Sequence, residues 1–249
     1  MQASAAAYIF DQTSTFEGWA DEECHRHLAA LGIGPGWRCL DMGTGRDSVT
    51  RWLAERVAPS GSVVTANADN GRLEQLAAGG VSALDGLPEA DFDLAFARSL
   101  LVHLPEREHA LDCLIDAVRP GGWVVVADFD WTVSGPPRPD DDSRERGVRT
   151  PLHSPGLQLT HGSQLARTFA AHGLVDVDGQ ALIGYSRSDE VKDSRVYSFT
   201  IERLRRRIMT SGLASREDID DLSAHLPQRD WVGVSPTIWT AWGRKPVSA

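Results

Sequence analysis

The chain has 249 residues, 41% hydrophobic and 24% charged, enough apolar material for one large α/β domain or two small ones and too much for a disordered chain. Twenty-five Lys and Arg against 35 Asp and Glu leave a formal charge of −10, which argues against nucleic acid or an anionic membrane as partner and points to a small molecule. Cys24, Cys39 and Cys113 form no C-x-x-C pair, so neither a disulfide framework nor a metal cage is expected, and a reducing cytoplasm fits. The start carries no basic region, and the longest apolar runs, such as Trp123–Ala127, fall far short of the roughly 20 residues a membrane span needs.

In chain order, short apolar runs alternate with amphipathic stretches, the pattern of βαβ units on a parallel sheet. Strands are predicted at Arg38–Met42, Ser62–Ala66, Val81–Leu84, Phe92–Ala97 and Gly122–Phe129. Between them, helices are predicted over Ser48–Val57, with Val49, Trp52, Leu53 and Val57 on one face, over Gly71–Ala78, and over Glu106–Val118 behind Pro105. Pro120, Gly121 and Gly122 stop the last of these. Residues 131–155, rich in Pro, Asp, Arg and Gly, read as a long loop of the kind that serves as a lid or binding segment. A helix Ser163–Ala171 and a strand near Leu174–Val177 follow. Val191–Ser211 carries Tyr197, Ile201, Leu204 and Ile208 down one helical face, Ser215–Asp218 forms a capping box, and a last strand falls near Thr237–Trp242.

The most informative segment is Cys39–Ser48 (CLDMGTGRDS), a strand entering a glycine turn and then a helix. Gly43 and Gly45 allow unusual φ and close backbone approach, and the helix start offers free N–H groups and a positive dipole end to a ligand's polar tail. About twenty residues on, Asn67-Ala-Asp69 ends the second strand, where nucleoside-binding folds place a ribose contact.

With Phe92–Arg98 (FDLAFAR), Leu104-Pro-Glu106 and Arg119–Asp128 (RPGGWVVVAD), the chain resembles the class I S-adenosylmethionine-dependent methyltransferases of the bacterial small-molecule type. The ending, Ser235-Pro236 and then Ala241–Pro246, extends the resemblance over nearly the whole chain. It implies a Rossmann-like α/β fold with a mostly parallel seven-stranded sheet, helices on both faces and a helical cap inserted before the last strand. The implied divisions are an amino-terminal helical lid over 1–30, a core over 31–185 that includes the 131–155 loop, the cap over 186–230, and the last strand and tail over 231–249.

Carried over by position, the glycine motif falls on Asp41, Gly43, Gly45 and Asp47, the ribose contact on Asn67, the adenine-contacting acid on Ala83, and the amino-terminal lid on Tyr8. Three positions depart from the pattern. The family has glycine where Asp47 stands, so a carboxylate enters the space of the cofactor's own carboxylate. Two like charges about 4 Å apart repel by about 1 kcal/mol in water and about 4 kcal/mol at an effective dielectric near 20. Asn67 replaces an ionised acceptor at a cost of about 1 kcal/mol. Ala83 offers only a methyl group or backbone, with Asp85 as a substitute if the register slips.

Open α/β sheets bind ligands at the carboxyl ends of their strands. That criterion selects Arg98 as a cofactor contact, His103 and Asp128 as catalytic candidates, and Asp130 and Trp131 beside them; His153 and His161 flank the end of the long loop, His161 being a third catalytic candidate. The Arg203–Arg207 run reads as the polar side of a helix, and Trp239 and Trp242 as core or cleft residues. The expected activity is S-adenosylmethionine-dependent methylation of a biosynthetic, secondary-metabolite-like small molecule. Two alternatives stand beside it: an enzyme of this fold promoting a cyclisation, elimination or intramolecular displacement, and a non-catalytic subunit. A homodimer or a partner subunit is left open.

Overall fold

A computed structural model describes residues 20–43, 48–65, 91–104, 107–131, 161–187, 202, 205–206, 208–210, 212, 214–225 and 232–247. They divide between two compact units, one within 21–129, 161–181 and 238–249, the other within 1–20, 130–160 and 182–237.

The first unit begins within helix α1, residues 20–30, whose buried face from Asp21 onward carries Cys24, His27 and Leu28 at helical spacing. Strand β1 (Arg38–Gly43), helix α2 (Ser48–Val57) and strand β2 (Ser62–Thr65) follow. Next come β3 (Phe92–Arg98), α3 (Arg107–Ala117) and β4 (Val118–Asp130), then α4 (Leu165–Ala171) and β5 (Val175–Leu182). Two short strands, β6 (Tyr185–Arg187) and β7 (Val232–Val234), flank α5 (Arg216–His225), and β8 (Thr237–Arg244) comes last. The sheet has six strands among the described residues, in the order β2-β1-β3-β4-β8-β5, with β2, β1, β3 and β4 joined in parallel. Six of the seven expected strands are thus accounted for; Val81–Leu84 and the predicted helix Gly71–Ala78 lie outside the described residues.

One face of the sheet, Leu40, Met42, Ala95, Ala97, Val124 and Val126, packs with Leu111 and Leu114 of α3 and with Leu165 and Phe169 of α4 in a single apolar cluster. The alternate residues Cys39, Leu94, Phe96, Val125 and Ala127 are equally buried, so these strands are covered on both sides. That explains why they read as continuous apolar runs instead of alternating ones.

The predicted helix over Glu106–Val118 ends at Ala117, and β4 begins earlier than the expected Gly122. Its register against β3 shifts between Phe92 and Leu94, which carries Pro120, lacking an N–H, past the ladder. Gly121 has φ +80°, and its N–H donates to Lys245 O at 2.8 Å; a Cβ on Gly122 would lie against Val118 and 3.0 Å from Asp93 O. The glycine pair lets the chain end lock onto β4, and Lys245 Nζ donates to Ile115 O at 2.9 Å, meeting an orphan carbonyl at the end of α3.

In the second unit β6 and β7 form an antiparallel pair, with Ser235 N donating to Gly184 O at 2.9 Å. The pair straddles the expected divisions, with Tyr185 at the end of the core segment 31–185, Ser186 and Arg187 at the start of the cap segment 186–230, and β7 in the last segment 231–249, where the core strand starts at Thr237. The capping box is present: Ser215 Oγ accepts from Asp218 N at 3.1 Å, and Asp218 Oδ2 accepts from Ser215 N at 3.0 Å. Arg205 is not a solvated member of a basic face. It donates to Glu202 at 2.7 Å and pairs with Asp220 at 2.6 Å, joining its own segment to α5.

Candidate active site

The carboxyl ends of β1 and β3 lie side by side, with Gly43 in register with Arg98, and α2 begins at Ser48. Asp41 is buried, and its Oδ2 accepts a hydrogen bond from Thr50 Oγ1 at 2.5 Å, tying β1 to the first turn of α2. Arg98 is 8% exposed and forms an ion pair with Asp21 of α1. Ser48 Oγ donates to the same Asp21 oxygen at 3.1 Å and lies 3.5 Å from Arg98 Nη2. Burial pushes the neighbouring Cys24 thiol above its ordinary value, with Arg98 opposing. A guanidinium, a hydroxyl and two carboxylates therefore gather where parallel strands end and a helix starts.

A second cluster stands beneath the turn that follows β3. Ser99 has φ +50°, and its N–H donates to Ala127 O at 2.9 Å, so the chain turns sharply into a 3-10 segment, Leu101–His103. Val102 N donates to Asp128 Oδ2 at 3.0 Å, and the N–H of Leu100 also serves this carboxyl group. Asp128 has no exposed surface, and its Oδ1 has no hydrogen-bond partner among the described residues. His161, 5% exposed, places Nε2 at 3.9 Å from Asp128 Oδ2, too far for a hydrogen bond. Desolvation raises Asp128 to about 7, against the weaker pull of the two N–H groups and Arg107; desolvation, with help from Arg107, lowers His161 to about 4. The histidine is neutral at pH 7. Gly162 allows this packing, since a Cβ there would meet Asp128 O at 2.6 Å and Trp239 Cδ1 at 2.9 Å.

Of the residues selected from sequence, Asp41, Gly43 and Arg98 gather at the first cluster, and Asp128 and His161 meet at the second, with the backbone of His103 on the turn that Asp128 holds. Tyr8, Gly45, Asp47, Asn67, Ala83, Asp85 and His153, and the side chain of His103, lie outside the described residues. Trp239 packs on the apolar cluster and Trp242 against His27 at 5.1 Å between ring centroids, so both are packing residues. No group of three or more metal-ligating side chains occurs among the described residues. Sequence reasoning did not single out Asp21 or Thr50. Asp21 meets Arg98 from 77 positions away, and no local pattern marks such a pair.

A family profile described as Methyltransferase domain matches residues 16–178. Among curated proteins, a ubiquinone/menaquinone biosynthesis C-methyltransferase (UbiE) of Ectopseudomonas mendocina is 30% identical over 112 residues, covering 39% of this chain and 44% of that protein. A trans-aconitate 2-methyltransferase of Mycobacterium tuberculosis is 27% identical over 117 residues, 45% of this chain and 44% of that one. The matched stretches span less than half the length of these relatives. Among solved structures, the YcgJ protein of Bacillus subtilis superposes with a TM-score of 0.53 at 15% identity, covering 91% of this chain and 100% of that one. The BH2331 protein of Bacillus halodurans C-125 gives 0.54 at 15% identity, over 90% of this chain and 99% of that one. The shared fold is the finding at that level of identity.

Proposed function

The chain belongs to the class I S-adenosylmethionine-dependent methyltransferase family, and we propose that it methylates a small molecule, a biosynthetic intermediate of secondary metabolism. The observation that carries the reading is the gathering of Asp41, Arg98 and Ser48 around the ends of β1 and β3. That donor set fits the family's cofactor: a guanidinium and a hydroxyl at a helix start suit the carboxylate of its amino-acid end, and Gly43 permits close backbone approach. Tyr8, Gly45, Asp47 and Asn67 complete the proposed contact set with Asp41, Gly43 and Arg98. The curated relatives, named for quinone biosynthesis and trans-aconitate, support a small acceptor.

When bound, the cofactor supplies an electrophilic methyl group for in-line displacement. This chain's residues orient the two reactants, exclude water and receive the acceptor's proton. In the proposal His103 takes that proton, while Asp128, too buried to reach a substrate, fixes the turn carrying His103 through Val102 N and Leu100 N. His161 backs Asp128 as a neutral imidazole.

Calorimetric titration with S-adenosylmethionine and S-adenosylhomocysteine tests the reading. Micromolar binding is expected, and no heat at millimolar ligand would overturn it. Incubation of cell extract with methyl-labelled cofactor then tests the acceptor class. Label should enter the small-molecule fraction; label confined to protein or nucleic acid would remove the small-molecule assignment.

A further inference from the structure

We propose that Asp128 is a proton-operated latch on the turn that follows β3: ionised, its carboxylate grips the backbone of that turn, and protonated, it gives its O–H to Nε2 of His161 and eases its hold. The inference is independent of the cofactor reading, since it concerns only groups inside the first unit. The turn needs a hold. Ser99 sits at φ +50°, a left-handed conformation that a residue with a side chain seldom adopts unaided, and Leu100, Leu101, Val102 and Leu104 are all buried. Asp128 reaches this turn twice through one carboxyl group, accepting from Val102 N at 3.0 Å and from Leu100 N.

Two unpaired atoms identify the second position. Asp128 Oδ1 and His161 Nε2 have no hydrogen-bond partner among the described residues, in side chains that are 0% and 5% exposed. Buried polar atoms are seldom left so. A proton on the carboxyl group supplies a donor, and a neutral imidazole supplies an acceptor. The separation of 3.9 Å between Nε2 and Oδ2 closes to hydrogen-bond length with a movement of about 1 Å, which draws the carboxyl group off the turn. Burial favours the uncharged acid, while the two N–H groups and Arg107, from the start of α3, favour the charged one. Burial and Arg107 together keep the His161 ring neutral at pH 5 and above. From β8 the neighbour at Gly162 is Trp239, which carries no charge, and along β4 the next acid, Asp130, belongs to the second unit. Because the turn follows Arg98 directly at the carboxyl end of β3, a ligand that presses on it and the proton on Asp128 bias one equilibrium, and each shifts the other.

Amide NMR spectra of the full chain between pH 5 and 9 test this. The Val102 and Leu100 amide protons are expected to move downfield together as pH rises, with one midpoint near 7, because a carboxylate is a stronger acceptor than a neutral acid. The carboxyl carbon of Asp128 should titrate at the same midpoint, and Asp128→Asn should leave both amides flat across the range. His161→Leu removes the acceptor of the acid's proton and should lower the midpoint by about one pH unit, the worth of one hydrogen bond; His161→Gln, which keeps an acceptor, should restore part of that shift. Amides that do not titrate, that titrate with different midpoints, or that still titrate in Asp128→Asn would overturn the latch. So would an unchanged or raised midpoint in His161→Leu, which would make His161 a packing residue. The wild-type spectra and the His161 variants decide the matter even if Asp128→Asn does not fold.

Discussion

Asp128 and His161 are two ionisable side chains moved by burial in opposite directions, and the movements have opposite consequences for stability. The folded-state value of Asp128 lies above its unfolded value of 3.8, so its contribution is complete below about 4 and is lost as pH rises towards 7. His161 is depressed from 6.5 to about 4, so its contribution is complete above 6.5 and is lost as pH falls through that window. Between about 4 and 6.5 the slopes cancel, each being about 1.4 kcal/mol per pH unit. Asp128→Asn should therefore expose the histidine's slope, and chemical denaturation of the variant between pH 4 and 6.5 should show stability rising with pH more steeply than in the wild type. Gly162→Ala drives a methyl group into Asp128 O and Trp239 and should cost about 1–3 kcal/mol in the same measurement at pH 7. Asp47→Gly combined with Asn67→Asp restores the pattern that the family resemblance implies, and calorimetry should show tighter S-adenosylhomocysteine binding.

At the scale of elements, caps and apolar runs were legible because both are local. The Ser215–Asp218 box needs only a spacing of three, and the structure forms it with Asp218 N and Ser215 Oγ 3.1 Å apart. Ser215→Ala should remove about 1 kcal/mol, read by thermal denaturation, with substitution by Gly costing less. The runs at β1, β3 and β4 were legible because burial on both faces leaves their central residues apolar, with the charged Asp41, Arg98 and Asp128 towards their carboxyl ends. The β6–β7 pair was not. Tyr185–Arg187 and Val232–Val234 are three residues each, and their partnership spans the whole of α5. The early start of β4 escaped for a related reason: proline and glycines ordinarily signal a turn, and only the register shift and the docked chain end make Val118–Gly122 part of a strand.

For the molecule as a whole, no helix of the described residues is long and apolar enough to cross a membrane. A ligand that binds the folded chain alone stabilises it by mass action: at a hundredfold excess over Kd the gain is about 2.7 kcal/mol, roughly 5–10 °C in Tm for a chain of this size. S-adenosylhomocysteine should raise Tm by that order, whereas 5′-methylthioadenosine at the same concentration should raise it less because it lacks the amino-acid end.

Hydrophobic period and glycine turns were enough to specify the α/β rhythm, and the motifs at Cys39–Ser48, Phe92–Arg98 and Arg119–Asp128 carried the resemblance to the methyltransferase family. These are properties of neighbouring residues, set by backbone geometry and by which faces must be buried. Tertiary structure alone decided that Asp21 meets Arg98, that Thr50 holds Asp41, and that Asp128 and His161 face each other inside the protein. Contacts between side chains far apart in the chain leave no periodic trace, and the protonation of a buried acid depends on how completely the fold removes water from it.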